Sequence, residues 1–460
     1  IFLPWFGTYI WQHRSALRGL PAKKKLLLFF LFPTVLVVGL VILFVSWPYL
    51  WRDFPGHILK ILAFYRTIGT VENYQPSYLF YGFNLYPLIW IIMTTPIIVL
   101  VLSAAGLVYA LRCTKRDSSS LCALLMLWFL VPVLRVTIPG TSIYGGVRQI
   151  MEFLPAIALL SGIGGSVLLR MFQKRWRYAG MIVFVGLAFV LHGLELTSYH
   201  PNESIFFNSL TGGLKGAYEK QIPAAGEDLG NVFRQGVNWL NQHAEKKAKI
   251  TFIMHGASAL PWIWLRPDLV FSEEWWSGFE QKGEYITETT SAGWTDVFYF
   301  KSLYAERFLD PVYVLRVRGA PVLKIWKNSP ANVRPGFRRQ KMTEAKPVQE
   351  GRSLFILLPE IVPLTKLELE YGDRDCQPLQ EISIAVSSDK ITWYDPYSPI
   401  VTYDDGGKAF TISEGKITRL FPADQAAVIR LRAQTDDSCP IKNARKAIVW
   451  FLDENAKNNE

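Results

Sequence analysis

Metal-ligand spacing is absent from this sequence. Its six histidines, His13, His57, His192, His200, His243 and His255, form no pattern of the His-Glu-x-x-His kind that sets two imidazoles on one helix face. Neither a metal nor a cofactor is therefore expected. A phosphate-cradling loop is missing as well. The one glycine cluster that suggests such a loop, Gly162-Ile163-Gly164-Gly165, lies inside an apolar run, where small residues let helices pack closely. Charge is scarce through the N-terminal part. Leu26–Leu50 has no charged residue over 25 positions, enough to cross a hydrocarbon core of roughly 30 Å at about 1.5 Å per residue. Comparable runs follow at about Leu85–Leu111, Leu121–Val136, Ile150–Leu169 and Ala179–Leu196. Soluble cores seldom contain such runs, which disfavours a soluble protein with buried helices. From Tyr199 to Glu460 the chain is polar, mixed and soluble in character.

The formal net charge of +11 would suit nucleic acid, but twelve of the basic residues fall in three loops. These are Arg14, Arg18, Lys23, Lys24 and Lys25; Arg112, Lys115 and Arg116; and Arg170, Lys174, Arg175 and Arg177. The alternate loops are poorer, with Arg52, Lys60 and Arg66 in one and Arg148 alone in the other. Loops rich in lysine and arginine stay in the cytoplasm, where they also meet anionic lipid. No nucleic-acid partner is expected. The opening run Ile1–Trp11 spans about 16 Å as a helix, too short to cross. This reads as the C-terminal part of a longer membrane protein. Counting spans from that stub gives a cell-membrane, multi-pass protein with its C-terminal portion on the extracytoplasmic side.

Specific chemistry gathers at the outer ends of the spans. Ser46-Trp47-Pro48-Tyr49-Leu50-Trp51-Arg52-Asp53 is an aromatic cluster suited to headgroup depth. In the next segment Ile58, Ile61, Leu62 and Tyr65 share a helical face apart from Lys60 and Arg66, as in a helix lying flat in the interface. Met93-Thr94-Thr95-Pro96 places hydroxyls where a proline frees backbone carbonyls. The outer loop Ile138–Gln149 sets glycines beside Arg148. Two readings of Arg148 stay open: a guanidinium can hold a phosphate through two parallel charge-assisted hydrogen bonds, or it can snorkel or pair with Glu152 one turn on.

Taken in order, Trp47-Pro48-Tyr49-Leu50-Trp51, Thr94-Thr95-Pro96, Tyr144-Gly145-Gly146-Val147-Arg148 and Phe153-Leu154-Pro155 resemble polyprenol-phosphate-sugar-dependent glycosyltransferases of the GT-C superfamily, of the protein mannosyltransferase and aminoarabinose transferase-like group. Tyr199-His200-Pro201 with Phe206-Phe207-Asn208-Ser209-Leu210-Thr211-Gly212-Gly213 is similar to the segment that follows the last span in bacterial members. The resemblance covers roughly residues 26–326. It implies a membrane enzyme that moves a hexose or pentose from a polyprenyl-phosphate carrier to a protein, lipid or glycan acceptor on the outer face. Arg148, Tyr144, Lys60 and Arg66 would hold the lipid phosphate. The family's catalytic acid lies in a first outer loop that this chain does not contain, so the catalytic residue stays unassigned. Glu227-Asp228-Leu229-Gly230 departs from the family, which often has an aromatic pair before that glycine. The competing expectation is a non-enzymatic transporter or a surface-assembly subunit with an outer carbohydrate-binding domain. A transporter would show charged or discontinuous helices at mid-membrane.

The expected architecture is an α-helical multi-pass membrane bundle, a partial GT-C core, over residues 1–198, followed by an extracytoplasmic α/β unit over 199–326. Within the latter, Asn231–Ala244 reads as a helix, Lys249–Met254 and Val297–Phe300 as strands, and Tyr313–Val317 with Val322–Trp326 as a hairpin through Arg318-Gly319-Ala320-Pro321. Trp262, Trp264, Trp275 and Trp276 suit core packing, sugar stacking or the membrane interface. Residues 327–350, with Lys327, Arg334, Arg338, Arg339, Lys341 and Lys346, read as a basic linker. Residues 351–460 read as a β-sandwich, with strands at Leu354–Leu358, Leu367–Tyr371, Ile382–Ser387, Val428–Arg432 and Ala447–Leu452. Ser388–Tyr394 and Val428–Arg432 resemble a discoidin-type jelly roll, implying a carbohydrate-binding or architectural role.

The four cysteines divide by position. Cys113 and Cys122 flank a cytoplasmic loop and read as free thiols, whereas Cys376 and Cys439 lie in turn-like stretches of the outer part, where an oxidising compartment permits pairing. A Cys376–Cys439 disulfide would close a loop of about 60 residues, worth on the order of 4 kcal/mol. Mass spectrometry of non-reduced protein from its native compartment should recover the linked peptides; free thiols at both positions would remove the bond.

Overall fold

Pro96 divides the apolar run expected as a single span into two helices. The computed structural model describes residues 21–68, 78–116, 120–139, 145–171, 175–226, 230–253, 262–271, 275–290, 300–338, 340–372, 382–394, 410–413, 415–433 and 443–452, with residue 141 and scattered positions of 1–20. They form two compact units that divide between Gly216 and Ala217.

The first unit is helical. Helix α1 (Ala22–Ser46) ends just before the Pro48–Leu50 turn. Helix α2 (Phe54–Ile68) starts at Asp53, whose Oδ1 accepts the Gly56 N–H at 3.1 Å and so caps an otherwise unpartnered donor. A two-stranded ribbon, β1 (Leu79–Phe80) and β2 (Phe83–Asn84), turns through Gly82 at positive φ. Helices α3 (Tyr86–Thr94) and α4 (Ile97–Arg116) then meet at a bend of 120°. Proline lacks the N–H that would continue the helix, and its ring collides with the preceding turn. Leu85–Leu111 is therefore a broken pair and not one straight span. Helix α5 (Ser120–Arg135), a 3₁₀ turn (Arg148–Phe153), α6 (Leu154–Met171) and α7 (Arg175–Thr197) complete the unit.

Among the described residues, Arg148–Met171 and Tyr178–Thr197 are the two helices long and apolar enough to cross a membrane, or three if the bent pair counts as one span. Their surfaces agree with a lipid environment. Val183 is 67% exposed on α7 and Leu159 50% on α6, an apolar surface that water would not tolerate over such an area.

Close helix packing is set by two glycines. A methyl on Gly164 of α6 would overlap the Leu102 carbonyl oxygen, and one on Gly106 of α4 would overlap that of Leu160. The Ser161 hydroxyl ties the same pair, donating to Val99 O at 3.1 Å. Gly162 and Gly165 differ, because a Cβ at either meets nothing within 4 Å. The glycine cluster thus serves helix packing through Gly164, while its neighbours face open space.

A short helix, Gly213–Glu219, runs across the division, and in the second unit α8 (Asn231–His243) buries Val232, Phe233, Val237 and Leu240. A five-stranded sheet follows in the order β4-β3-β5-β7-β6. Its strands are β3 (Lys249–Phe252), β4 (Val270–Phe271), β5 (Tyr285–Glu288), β6 (Pro311–Val317) and β7 (Ala320–Lys327). Strands β4, β3 and β5 run parallel, and the β6–β7 hairpin adds an antiparallel edge. Arg318 and Gly319 both take positive φ at its tip, +49° and +87°, the twist a two-residue hairpin turn requires. The expected strand at Val297–Phe300 is corrected in part: Phe300 opens helix α9 (Phe300–Phe308), and residues 297–299 lie outside the described set. Trp276 is fully buried in a core with Ile286, Tyr304, Phe308 and Trp326.

The C-terminal region is a seven-stranded antiparallel sheet. Its strands are β8 (Gln340–Ala345), β9 (Val348–Glu350), β10 (Ser353–Tyr371), β11 (Ile382–Ser387), β12 (Phe410–Ser413), β13 (Lys416–Ala433) and β14 (Ala444–Leu452). The reading of 327–350 as a linker is overturned. Strand β8 pairs with β14 and β9 with β10, while Phe337 packs on the Trp276 core. The two strands expected at Leu354–Leu358 and Leu367–Tyr371 are one, interrupted by a register shift between Leu357 and Val362. Both halves of β10 and β13 feed a single core that includes Ile356, Leu367, Phe421 and Leu431. Cys376, Cys439 and Tyr144 lie outside the described residues.

Gly164→Ala and Gly106→Ala should each lower the melting temperature of the purified protein, by the equivalent of about 1–3 kcal/mol for a forced steric overlap. Gly162→Ala should leave stability unchanged or raise it, since it exchanges glycine for a better helix former in open space. Equal effects at all three positions would contradict the packing described.

Candidate functional site

An apolar groove of about 1080 Å³ runs along α6. Thr94, Thr95 and Pro96 form one wall, and Val185 and Phe189 of α7 another. Val147 and Phe153 stand at one end, Arg170 and Tyr178 at the other. Gly162 and Gly165, whose missing side chains leave space, line its middle. From Leu154 to Arg170 the helix rises about 24 Å, most of a hydrocarbon core of roughly 30 Å.

The end near Val147 is built by backbone chemistry. Asn84 N–H donates to Thr137 O at 2.9 Å, and Asn84 Oδ1 accepts the Tyr86 N–H at 3.1 Å, which fixes the start of α3 beside the end of α5. Tyr86 is fully buried, and its Oη accepts the Gly146 N–H at 3.0 Å. Gly145 and Gly146 take φ of +66° and +70°, values that glycine adopts without a Cβ penalty. A side chain on Gly146 would strike the Trp90 ring, and one on Gly145 the Arg148 guanidinium. The glycines therefore let the loop lie flat on α3, with Arg148 folded across it at the surface. The Trp90 indole N–H is buried in this wall without an acceptor among the described residues.

Arg148 is exposed at the first residue of the 3₁₀ turn Arg148–Phe153. Arg135, at the last turn of α5, reaches the same 3₁₀ turn, donating from Nη2 to Gln149 O at 2.9 Å and lying 3.6 Å from Glu152. Glu152, the expected partner of Arg148, thus faces Arg135. Arg135 and Arg148 thus both belong to the surroundings of the turn after Val147, while the basic residue that lines the groove itself is Arg170 at the other end. Arg135 was hidden in the sequence by its place inside an apolar run. Lys60 is exposed on α2, a separate helix packed on the Pro48–Leu50 turn. Arg66 belongs to α2 with its side chain outside the described set.

The second missed residue is Asn208. The Thr94 hydroxyl donates to Trp90 O at 2.7 Å, four residues back within α3, and not to Ile92 O, the carbonyl that Pro96 leaves without its N–H. Asn208 does more. Its Nδ2 donates to Ile92 O at 2.6 Å and to Thr95 O at 2.7 Å, and its backbone N–H to Met93 O at 2.8 Å. Buried carbonyls left without donors are costly, and one asparagine answers three of them. Phe207 packs on Trp90 at 5.0 Å between ring centroids, and Phe206 on His192 at 5.0 Å. Phe206-Phe207-Asn208 is therefore a plug that holds the groove's Thr94–Pro96 wall.

The second unit also carries buried polar groups, and these serve the fold. Glu284 accepts from the Ser277 N–H and hydroxyl, both at 2.8 Å, and from Asn328 Nδ2 at 2.7 Å. Tyr304 donates to Asn328 Oδ1 at 2.8 Å, and burial raises its hydroxyl pKa. Arg266 bonds Asp268 and brings that carboxyl down to about 2.

No known protein-family model matches the chain, and no curated protein aligns with it.

Asn208→Asp should place a carboxylate against two carbonyl oxygens, costing about 3 kcal/mol or more. Asn208→Ala should lose about 2 kcal/mol for the buried carbonyls left unmet. Thermal unfolding in detergent measures both, and wild-type stability in Asn208→Asp would mean that the bend holds without this side chain.

Proposed function

We propose that the chain binds a polyprenyl-phosphate sugar donor as part of a membrane glycosyltransferase of the GT-C type, an extracytoplasmic enzyme that passes the sugar to a protein, lipid or glycan acceptor. The observation that carries this reading is the length of the apolar groove. An acyl lipid occupies one leaflet, about half of a roughly 30 Å core, whereas a groove running most of the core's depth suits a longer polyisoprenoid tail. In this reading Arg148, next to the groove residue Val147, supplies positive charge for the phosphate, and Arg135, 3.6 Å from Glu152, holds the same turn in place. As the sugar–phosphate bond breaks, negative charge grows on the leaving phosphate, and a preorganised guanidinium stabilises that charge. The role assigned to Arg148 is carrier binding and leaving-group stabilisation; it is not assigned as the general base.

One observation favours the competing transporter reading: α3 and α4 form a discontinuous helix, bent by 120°, of the kind that lines transport sites. The carbonyls freed at that break are occupied by Asn208, which leaves them unavailable to a transported ion and argues for a structural bend.

Binding of undecaprenyl phosphate and of the short farnesyl phosphate to the reconstituted chain tests the proposal. The long carrier should bind more tightly. Gly162→Phe, which fills the groove where a side chain meets nothing, should abolish that advantage without lowering the melting temperature. Arg148→Ala should weaken phosphate binding about tenfold, and Arg148→Lys by less, because it keeps the charge and loses the planar fork. Equal binding of both phosphates, or normal binding by Gly162→Phe, would overturn the reading.

A further inference from the structure

On the other face of the Pro96 bend lies a second, smaller cavity of about 500 Å³, between α4 and α7. Its wall is apolar, with Val101, Phe184, Ala188 and Leu191 along its length. One end is polar and carries His192, Glu195 and Ser209. His192 Nδ1 lies 3.4 Å from the Glu195 carboxylate, with the two side chains 16% and 35% exposed. The imidazole is held edge-on against Phe206.

The pair lies in the last two turns of α7, which ends at Thr197, the depth at which a lipid headgroup meets the helix. Here the pair also faces a cavity of defined length. From Phe184 to Glu195 the helix rises about 16 Å, close to one leaflet of a roughly 30 Å core. That length fits a single acyl chain, and the first groove is longer. Among the described lining residues the charged group is a carboxylate, and neither lysine nor arginine is present. An anionic headgroup would be repelled there. A trimethylated ammonium would offer charge and no N–H donor, whereas a primary ammonium offers three.

We propose that this cavity binds an aminophospholipid of the phosphatidylethanolamine type, with one acyl chain along Phe184–Leu191 and its ammonium on Glu195, fixed in place by His192. The proposal rests on α7 lying in the bilayer and is independent of sugar transfer.

Native mass spectrometry of the full chain, stripped of lipid in mild detergent and incubated with phosphatidylethanolamine, phosphatidylcholine or phosphatidylglycerol of identical acyl chains, provides the test. Phosphatidylethanolamine should be retained at least about tenfold more than the other two. Glu195→Gln should remove that preference. Ala188→Phe, which fills the apolar wall and leaves both polar groups in place, should block retention of all three and covers the case of a poorly folded Glu195→Gln. Arg148→Ala should retain phosphatidylethanolamine normally, which separates this cavity from the carrier groove. Equal retention of the three lipids, a preference that survives Glu195→Gln, or wild-type retention by Ala188→Phe would each overturn the proposal and leave an ordinary annular lipid.

Discussion

A bent apolar helix has to find donors for the carbonyls its bend exposes, and in the first unit Asn208 provides them. Water is scarce among apolar side chains, so an unpaired carbonyl there carries most of its desolvation cost. The bend at Thr95–Pro96 places the two halves of the run at 120°, and each structural element near it follows from that angle. Helix α3 starts at Tyr86, whose hydroxyl receives the Gly146 N–H. Helix α4 leaves in the direction that brings Gly106 against Leu160. Both cavities share Pro96 as a wall.

The two kinds of glycine on α6 show how packing and emptiness coexist on one helix. Gly164 faces α4 and permits backbone-to-backbone approach, while Gly162 and Gly165 face away and leave volume unfilled. Interiors normally pack at crystal-like density, so open space bordered by glycine is a property to be explained. In hydrocarbon surroundings such space is not dry vacuum, since lipid chains enter it, and what distinguishes one groove from another is its length and the charge at its mouth.

Much of the fold was legible because local chemistry decided it. The spacing of Val232, Val237 and Leu240 and the Arg318-Gly319 turn each report a local rule that the structure obeys, whereas the charge-free run at Leu26–Leu50 is helical to Ser46 and is not among the described helices long and apolar enough to cross a membrane. What stayed hidden depended on distant partners. Asn208 looks like an ordinary loop residue until the carbonyls of Ile92 and Thr95 are set beside it. Arg135 ends an apolar run, and only the return of the chain at Gln149 gives it a neighbour. Strand β8 has an exposed and charged sequence, Gln340–Ala345, with no alternation to announce it; it is an edge strand held by backbone pairing with β14 and not by burial. Strand β10 is continuous where two strands were read, and Pro359 lies in its stretch between Leu357 and Val362, outside the register with β13, where a ladder donor is not needed. Of the candidate site, the Arg148 loop was readable from its glycines, while the groove emerges only when α3, α6 and α7 are assembled.

The pairing of β8 with β14 also sets an order of events during synthesis. Gln340 of β8 lies opposite Leu452, more than a hundred residues later in the chain, and β10 likewise waits for β13 and β14. Until the last strand has emerged, the apolar face of β10 has no neighbour and its edges stay open to wrong partners. The helices of the first unit are made well before that moment. A nascent chain therefore has its apolar helices complete while its C-terminal sheet is still unpaired, a period in which a holding chaperone would have the most to protect.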